Sequence, residues 1–422
     1  MRILFLTHYF PPEGNAPASR TYEHCVRWAL AGHDVTVITC APNVPNGVVY
    51  DGYKNRVTSH TEYIDGIRVI RVWTFLAANA GSLKRILNYV SYMVSACLEA
   101  VQLRRADVVI ATSPQFFCGW AGVLVSRICR IPFVLEVRDI WPESIKTVGA
   151  MKNSILLATL GKMEKWMYRS AHQIVTVGEG YRENIGSKID ENVRISVVTN
   201  GVDLDHFSPT EPDGDFLKEW NLEGKFVCSY VGTIGMAHGL DVVVHAAKLL
   251  QQRNRQDVVF CLIGDGAERE QLEQLAQKMG VSDLVVFTGR QSKQRIPQIL
   301  ASSDTVLVHL KKCELFQSVI PSKIFEAMAM QRPIVMGVEG ESRQIVRRAN
   351  AAIDTEPDCP ESLATAVMNL VEDQELCEQL GKNGRAFVQQ HYSRNVLAER
   401  MLEVVKETAK PNPCPQVAPS NR

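Results

Sequence analysis

The chain has 422 residues, too long for one ordinary hydrophobic core and suited to two domains of about 200 residues each. Its composition, 46% hydrophobic and 22% charged, excludes a disordered chain, and 46 basic residues against 46 acidic ones give no sign of nucleic-acid binding. Eleven scattered cysteines without a CxxC pair argue against a zinc or disulfide framework and for a reducing compartment.

Met1-Arg2 runs straight into Ile3–Leu6, too short for a signal segment and readable as a first buried strand. Further short apolar runs follow at Val35–Thr39, Ile67–Val72, Val108–Ala111, Phe133–Val137, Ile174–Val177 and Ile195–Val198. Runs of this kind, without alternation, suit a parallel sheet covered on both faces. Helical patterns lie between them, at Ala18–Ala31, Leu83–Arg104 and Ser154–Ser170. The pattern restarts with strands at Phe226–Val231, Val258–Ile263, Val285–Phe287, Thr305–Leu307 and Ile334–Met336, and helices at Asp241–Gln252, Glu268–Met279 and Lys323–Ala329. Such alternation predicts α/β architecture, two Rossmann-like doubly wound domains facing across a cleft. The expected boundaries are 1–207 and 208–394, with Ser208–Gly214 as linker. A helix over 395–409 would cross back to the first domain, and 410–422 reads as a disordered tail. No stretch reads as the roughly 20 clean apolar residues of a membrane span.

Open α/β sheets bind ligands at the carboxyl ends of their strands, which directs attention to four loops. The first, Thr7–Arg20, contains Gly14 and Asn15 before a helix start; it reads equally as an anion-binding turn or as a long capped turn. The second, Tyr230–Asp241, carries Gly232, Thr233, Gly235, His238 and Gly239 between a strand and a helix, a composition that suits close approach to a phosphate. In the third, Gly264, Asp265 and Gly266 bind a ligand or merely cap a helix, and Arg290 follows on the same sheet edge. In the fourth, Ser322 is the expected N-cap of a helix whose first turn carries Lys323. A cation is disfavoured there unless an anion sits nearby, and a pyrophosphate is such an anion. Glu326, one turn on, suits a ribose diol. In the first half, Arg20, Arg138 and Asp139 are the polar candidates on the opposite side of the cleft.

With these loops the chain resembles retaining glycosyltransferases of the GT-B fold, family 4, over roughly residues 1–405. The likeness is carried by Gly32-His-Asp-Val-Thr-Val-Ile, Asn200-Gly-Val-Asp-Leu-Asp-His-Phe207, the Gly232–Gly239 loop, and Pro333-Ile-Val. Glu136–Ser144 and Ile320–Glu326 look like the branch containing bacterial O-antigen and capsule N-acetylfucosamine transferases. Two departures stand out. The family's first motif glutamate falls on Ser318, and its glycine-loop Arg and Lys fall on Thr233 and His238, so that diphosphate charge would come from Lys323, Lys311 or Arg290.

The resemblance implies a nucleotide-sugar donor, with a UDP-N-acetylamino sugar such as UDP-L-FucNAc favoured, held mainly by the second domain. It implies a polyprenyl-diphosphate-linked glycan acceptor on the side of Arg20, Arg138 and Asp139. It also implies a catalytic set of Lys323, Glu326 and Asp139, no metal or other cofactor, and no nucleic-acid partner. Lys84–Val94 is basic at its start and apolar after it, and Lys152, Lys162, Lys165 and Arg169 share a helix with Leu156, Leu157, Trp166 and Met167. These suggest a cytoplasmic protein resting peripherally on the inner membrane face. A sugar-nucleotide 2-epimerase and a non-catalytic regulatory subunit are the alternatives on the same fold.

Overall fold

The structure is a computed structural model. It describes all residues except 45, 78–81, 104–105, 114, 142, 144–153, 190–192 and 411–422. Two compact units result: Met1–Thr199 with the chain from Leu397 on, and Asn200–Val396.

The first unit is an eight-stranded sheet of β1 (Arg2–Leu6), β2 (Asp34–Cys40), β3 (His60–Ile64), β4 (Ile67–Val72), β5 (Val108–Thr112), β6 (Phe133–Val137), β7 (Gln173–Thr176) and β8 (Arg194–Val197). Their order is β3-β4-β2-β1-β5-β6-β7-β8, parallel except that β3 pairs antiparallel with β4. Successive side chains of a strand point to opposite faces, and the core divides accordingly. Leu4, Leu6, Ile38, Val109, Ala111 and Leu135 pack under α2 (Ser82–Leu103), α3 (Phe116–Cys129) and α4 (Ser154–Ser170). Ile3, Phe5, Val37, Val69, Ile110 and Val134 pack on the other face, against α1 (Ala16–Leu30) and the C-terminal helix Arg394–Ala409. That helix is tied on by Trp28, whose indole Nε1–H donates to the Ala398 carbonyl at 2.9 Å.

The second unit has strands β9 (Phe226–Val231), β10 (Val258–Ile263), β11 (Val285–Gly289), β12 (Thr305–His309), β13 (Ile334–Gly337) and β14 (Ala352–Asp354). All are parallel, in the order β11-β10-β9-β12-β13-β14. This is the doubly wound order whose switch point lies between the first strand and the fourth, here β9 and β12. The short helix α5 (Glu179–Gly186) belongs to the first unit; α6 (Gly214–Glu219), α7 (Asp241–Gln252), α8 (Arg269–Met279), α9 (Ile296–Ala301), α10 (Lys323–Ala329), α11 (Glu341–Arg348), α12 (Pro360–Glu372) and α13 (Gln374–His391) cover the second sheet, and Arg394–Ala409 is α14.

Several expectations are corrected. The second unit starts at Asn200 rather than 208, because Val202 bridges to Ser393 and packs with Leu204 and Phe207 into its core. The expected linker instead leads into α6, whose Asp213 caps the Phe216 N–H at 2.9 Å. One helical stretch, Lys84–Leu103 within α2, is long and apolar enough to cross a membrane by length and composition. One of its faces is nevertheless core, through Asn88, Tyr92, Ala96 and Ala100. Arg104, Lys152, Pro142, Ser144 and the tail from 411 lie outside the described residues.

Candidate functional site

At the carboxyl ends of β9 and β10, next to the switch point of the second sheet, two glycine loops pack backbone against backbone. Gly264 has φ +148°, and a Cβ there would stand 1.8 Å from the Gly232 carbonyl oxygen; one on Gly266 would stand 2.2 Å from that of Ile234. No side chain fits either gap, so these two glycines serve the contact between loops; the Gly266 carbonyl also accepts the Arg269 N–H at 3.2 Å at the start of α8, where no side chain caps. The Asp265 carbonyl accepts from Ile234 N–H at 3.0 Å, which stitches the loops further. Beyond them opens a cavity of about 660 Å³, lined by Gly232, Thr233, Gly264, Arg290, Gln291 and Ile296 among others. Thr233 and Arg290 are exposed over it. A hollow of similar size, about 610 Å³, is lined by Glu211, Asp213 and Asp215 with Lys218 and Arg295, and Arg295 is already bonded to Asp213 at 2.9 Å, which makes it a poor place for a diphosphate.

The glycine loop is docked onto the end of β12. His309 Nδ1 lies 2.6 Å from the His238 carbonyl, its Nε2 accepts from Asp358 N–H at 3.1 Å, and Lys311 N–H donates to the Ala237 carbonyl at 3.0 Å. Gly239, at φ +56°, leaves room for the Lys311 stem, whose Cγ would be 2.8 Å from a Cβ. His238 turns its Nδ1 to the Gly235 carbonyl at 3.2 Å. Burial and the nearby Lys323 charge push the His238 pKa down, toward the neutral ring.

Lys323 opens α10. Its Nζ is shielded from solvent, makes no hydrogen bond, and lies 3.7 Å from the centre of the Tyr230 ring. Burial pulls its pKa down to about 7, with Glu326 acting in the opposite sense. Glu326 is itself pushed up by burial, against the charges of Lys323, Arg394, His206 and Lys293. Ser322 is not the expected cap: it has helical angles, φ −59° and ψ −26°, and its side chain makes no capping bond. The helix is entered through a tight turn instead, with Ile324 N–H donating to the Pro321 carbonyl at 3.2 Å. Ser318 ends the one-turn 3₁₀ helix Glu314–Ser318 just before it, and Lys311 stands exposed after β12.

In the first unit, the candidates divide. Arg20 is buried: its Nε donates to Glu136 Oε1 at 2.8 Å, Nη1 to the Thr199 carbonyl at 2.6 Å and Nη2 to the Val198 carbonyl at 2.7 Å. These bonds make it an internal brace, which corrects its expected place on the acceptor side. Burial works against the Glu136 carboxylate, but Arg20, Arg138 and Thr112 overcome it and hold the pKa at about 2. Asn15 Oδ1 accepts from Ala18 N–H at 2.9 Å, so it caps α1 rather than facing a donor. Gly14 is exposed at the loop tip. Arg138 and Asp139 are set at the end of β6 by their N–H groups, which donate to Ser113 Oγ at 2.7 and 3.3 Å. The Arg138 Nε and Nη1 are shielded and unpartnered, and burial lowers its pKa to about 10. Among the described residues no three His, Cys, Asp or Glu side chains gather in a way that could hold a metal ion.

Thus Gly232, Thr233, His238, Gly264, Arg290, Lys311, Ser318, Lys323 and Glu326 all belong to the second unit, on loops and helix starts at one sheet edge. Arg138 and Asp139 sit at the corresponding edge of the first sheet. Sequence reasoning passed over Tyr230, His309 and Asp358. Tyr230 reads as an ordinary strand residue, and no local pattern marks it.

Residues 215–387 match the family of glycosyl transferases group 1, and residues 15–201 match the glycosyl transferase 4-like domain. The probable glycosyltransferase WbjE of Pseudomonas aeruginosa is 25% identical over 72% of this chain and 75% of its own. WcaI of Escherichia coli K12, a putative colanic acid biosynthesis glycosyl transferase, is 26% identical over 87% of this chain and 91% of its own. Among solved structures, Anabaena HepE in complex with UDP superimposes with a TM-score of 0.68 at 17% identity, covering 96% of this chain and 100% of that one.

Proposed function

Because the chain is a GT-B glycosyltransferase, its first half of the glycosyl transferase 4-like family and its second of group 1, we propose that it transfers an N-acetylamino sugar from a UDP-sugar, such as UDP-L-FucNAc, to a lipid-linked oligosaccharide, with retention at the anomeric carbon. The observation that carries this reading is Lys323, a desolvated amine without a hydrogen-bond partner at a helix start, next to Gly232, which lines the cavity of about 660 Å³. A cation in that place is costly until an anion arrives. The UDP named in the HepE structure, on a shared fold, and the colanic acid biosynthesis in the name of WcaI support the choice of a UDP donor and of a polysaccharide pathway.

In the proposed reaction the bond from the anomeric carbon to the diphosphate oxygen breaks as the acceptor oxygen bonds to the same face. The acceptor's proton passes to the departing diphosphate, so the protein supplies no nucleophile. Lys323, the N–H groups of the glycine loop and His238 Nε2 meet the charge that grows on the leaving group, and loss of one such donor typically costs about 10²–10³ in rate. Glu326 holds the ribose, and Arg138 and Asp139 serve the acceptor.

We place the enzyme peripherally on the inner membrane face. The first unit's outer helix layer exposes Ile86, Leu87, Val94 and Leu98 on α2, Leu124 and Ile128 on α3, and Trp166 on α4. Arg127, Lys162, Lys165 and Arg169 stand among them, a mixture that suits an anionic lipid surface. Met167, expected on that face, is core.

The experiment is a panel of UDP- and GDP-sugars offered with and without a polyprenyl-diphosphate glycan, with products read by mass. Turnover that needs the acceptor supports the reading; isomerisation of the donor alone, or binding without turnover, overturns it.

A further inference from the structure

The Lys323 amine is seated on a ring rather than on an acid. Its Nζ lies 3.7 Å from the Tyr230 ring centre, and a Cβ on Gly232 would stand 3.0 Å from it on the loop side. Glu326, although close enough to influence its charge, makes no hydrogen bond with it. Tyr230 is fully buried near the end of β9. Its hydroxyl donates to the Thr233 carbonyl at 2.8 Å, and its ring meets that of His238 at 5.9 Å and 71°. One side chain therefore touches the amine, the turn of the glycine loop and the imidazole.

We infer that Tyr230 is a positioning residue of the donor site: the face of its ring seats Lys323 beneath Gly232, while its hydroxyl pins the Thr233 carbonyl. The amine and the loop N–H groups then meet a diphosphate in one preset arrangement. The inference rests on the reading that Lys323 receives that diphosphate. The chemistry favours a ring over a carboxylate in this place. A bound carboxylate would neutralise the amine and compete with the incoming anion, whereas the ring's quadrupole attracts a cation weakly and yields it without leaving a buried charge behind.

The titratable groups facing the amine are Tyr230 on β9, His238 on the glycine loop, His309 on β12 and Glu326 on its own helix. Burial drives both imidazoles toward neutrality, and it raises the Tyr230 phenol far above its usual range. Lys323 is drawn down to about 7 and the neighbouring Glu326 carboxyl is raised by burial, so the K323M arm of the test marks which of the two sets the pH midpoint.

The test is calorimetric titration of UDP into the full-length protein across neutral to alkaline pH, for wild type, Y230F, Y230L and K323M. Wild-type affinity is expected to fall as the pH climbs past neutrality. Y230F should keep that midpoint and bind within about threefold of wild type. Y230L should bind about tenfold more weakly, the order expected of a desolvated cation–π contact. Its midpoint should move to lower pH, because the ring no longer favours the charged amine; a merely structural loss would leave the midpoint in place. Should Y230L melt below the assay temperature, Y230M, which refills the space with a flexible apolar chain, carries the same expectation. The inference is overturned if the ring-deleted variant keeps the wild-type affinity and midpoint, or if Y230F loses as much as Y230L. If K323M alone binds UDP like wild type at every pH, the underlying reading of Lys323 fails, and that result is distinct from either of these.

Discussion

A lysine that folding drives down to about 7, from its ordinary 10.5, is a stability liability kept for use. Between those two values the unfolded chain holds a proton that the native protein has released, so stability rises with pH across the window and the burial penalty is greatest below it. The double variant K323M/E326Q, which keeps both stems and discards both buried charges, should therefore melt higher than wild type at pH 6, by about 1 kcal/mol or roughly 2–4 °C. The gap should narrow as the pH approaches 10, and scanning calorimetry at both values reads it. The same variant should lose most of its UDP affinity. Buried charges whose removal stabilises the empty protein and weakens the complex are there for its ligand. Arg20 presents the opposite case, for it is a buried cation whose partners all come from the chain. R20M leaves Glu136 buried without its closest counter-charge and should cost about 3–5 kcal/mol in denaturant unfolding, with UDP affinity in the second unit unchanged.

Among the elements, the two glycine-bearing turns of the second sheet are one structure, since neither backbone can take its path unless the other lacks a side chain. G264A places a methyl group within 1.8 Å of the Gly232 oxygen, at a φ of +148° that L residues avoid, so the loops must part. We expect a loss of at least about 2 kcal/mol of stability together with UDP affinity, measured by melting and calorimetry. Gly14 is exposed and lacks a positive φ, and G14A should leave both readouts close to wild type. These loops also show how far the sequence could be read. Most buried parallel strands were legible to within a residue or two, because a strand covered on both faces is a continuous apolar run. β3 was not, since His60–Ile64 is an exposed antiparallel edge, and β14 spans only three residues. Lys323 and Glu326 could be picked out because a cation in a first helical turn is a local anomaly. Tyr230 could not, because its role exists only when β9 and α10, far apart in sequence, come together. Asn15 and Arg20 were misread for a related reason: a cap and a buried ion pair use the same residue types as a binding site, and only the partner tells them apart.

On the scale of the molecule the two units expose different surfaces. Among the described residues, every large hydrophobic side chain that stands well exposed belongs to the first unit, apart from Met236 of the glycine loop. Seven of the first unit's lie on α2, α3 and α4, the helices that cover one face of its sheet, at Ile86, Leu87, Val94, Leu98, Leu124, Ile128 and Trp166. Trp166 is 48% exposed and lies under the Arg127 guanidinium, 4.7 Å from its ring centre, so a cation and an indole are presented together. Aromatic rings and basic side chains side by side are what a headgroup region accommodates, and Leu98, at 65% exposure, adds an apolar anchor to the same helix layer. The double variant L98E/W166E adds two negative charges and removes two apolar anchors; because the Trp166 ring also rests on Trp120 of the core at 4.8 Å, a melting curve accompanies it to show that the fold persists. It should stop floating with vesicles of phosphatidylglycerol and phosphatidylcholine at low salt, where the wild-type protein is expected to float and to be released as salt screens the basic residues. UDP affinity should not change, since the substitutions and the cavity at Gly232 and Arg290 belong to different units. Undiminished flotation of the double variant would move lipid contact to another surface, and a wild-type protein that never floats would leave the exposed helix layer without a membrane role.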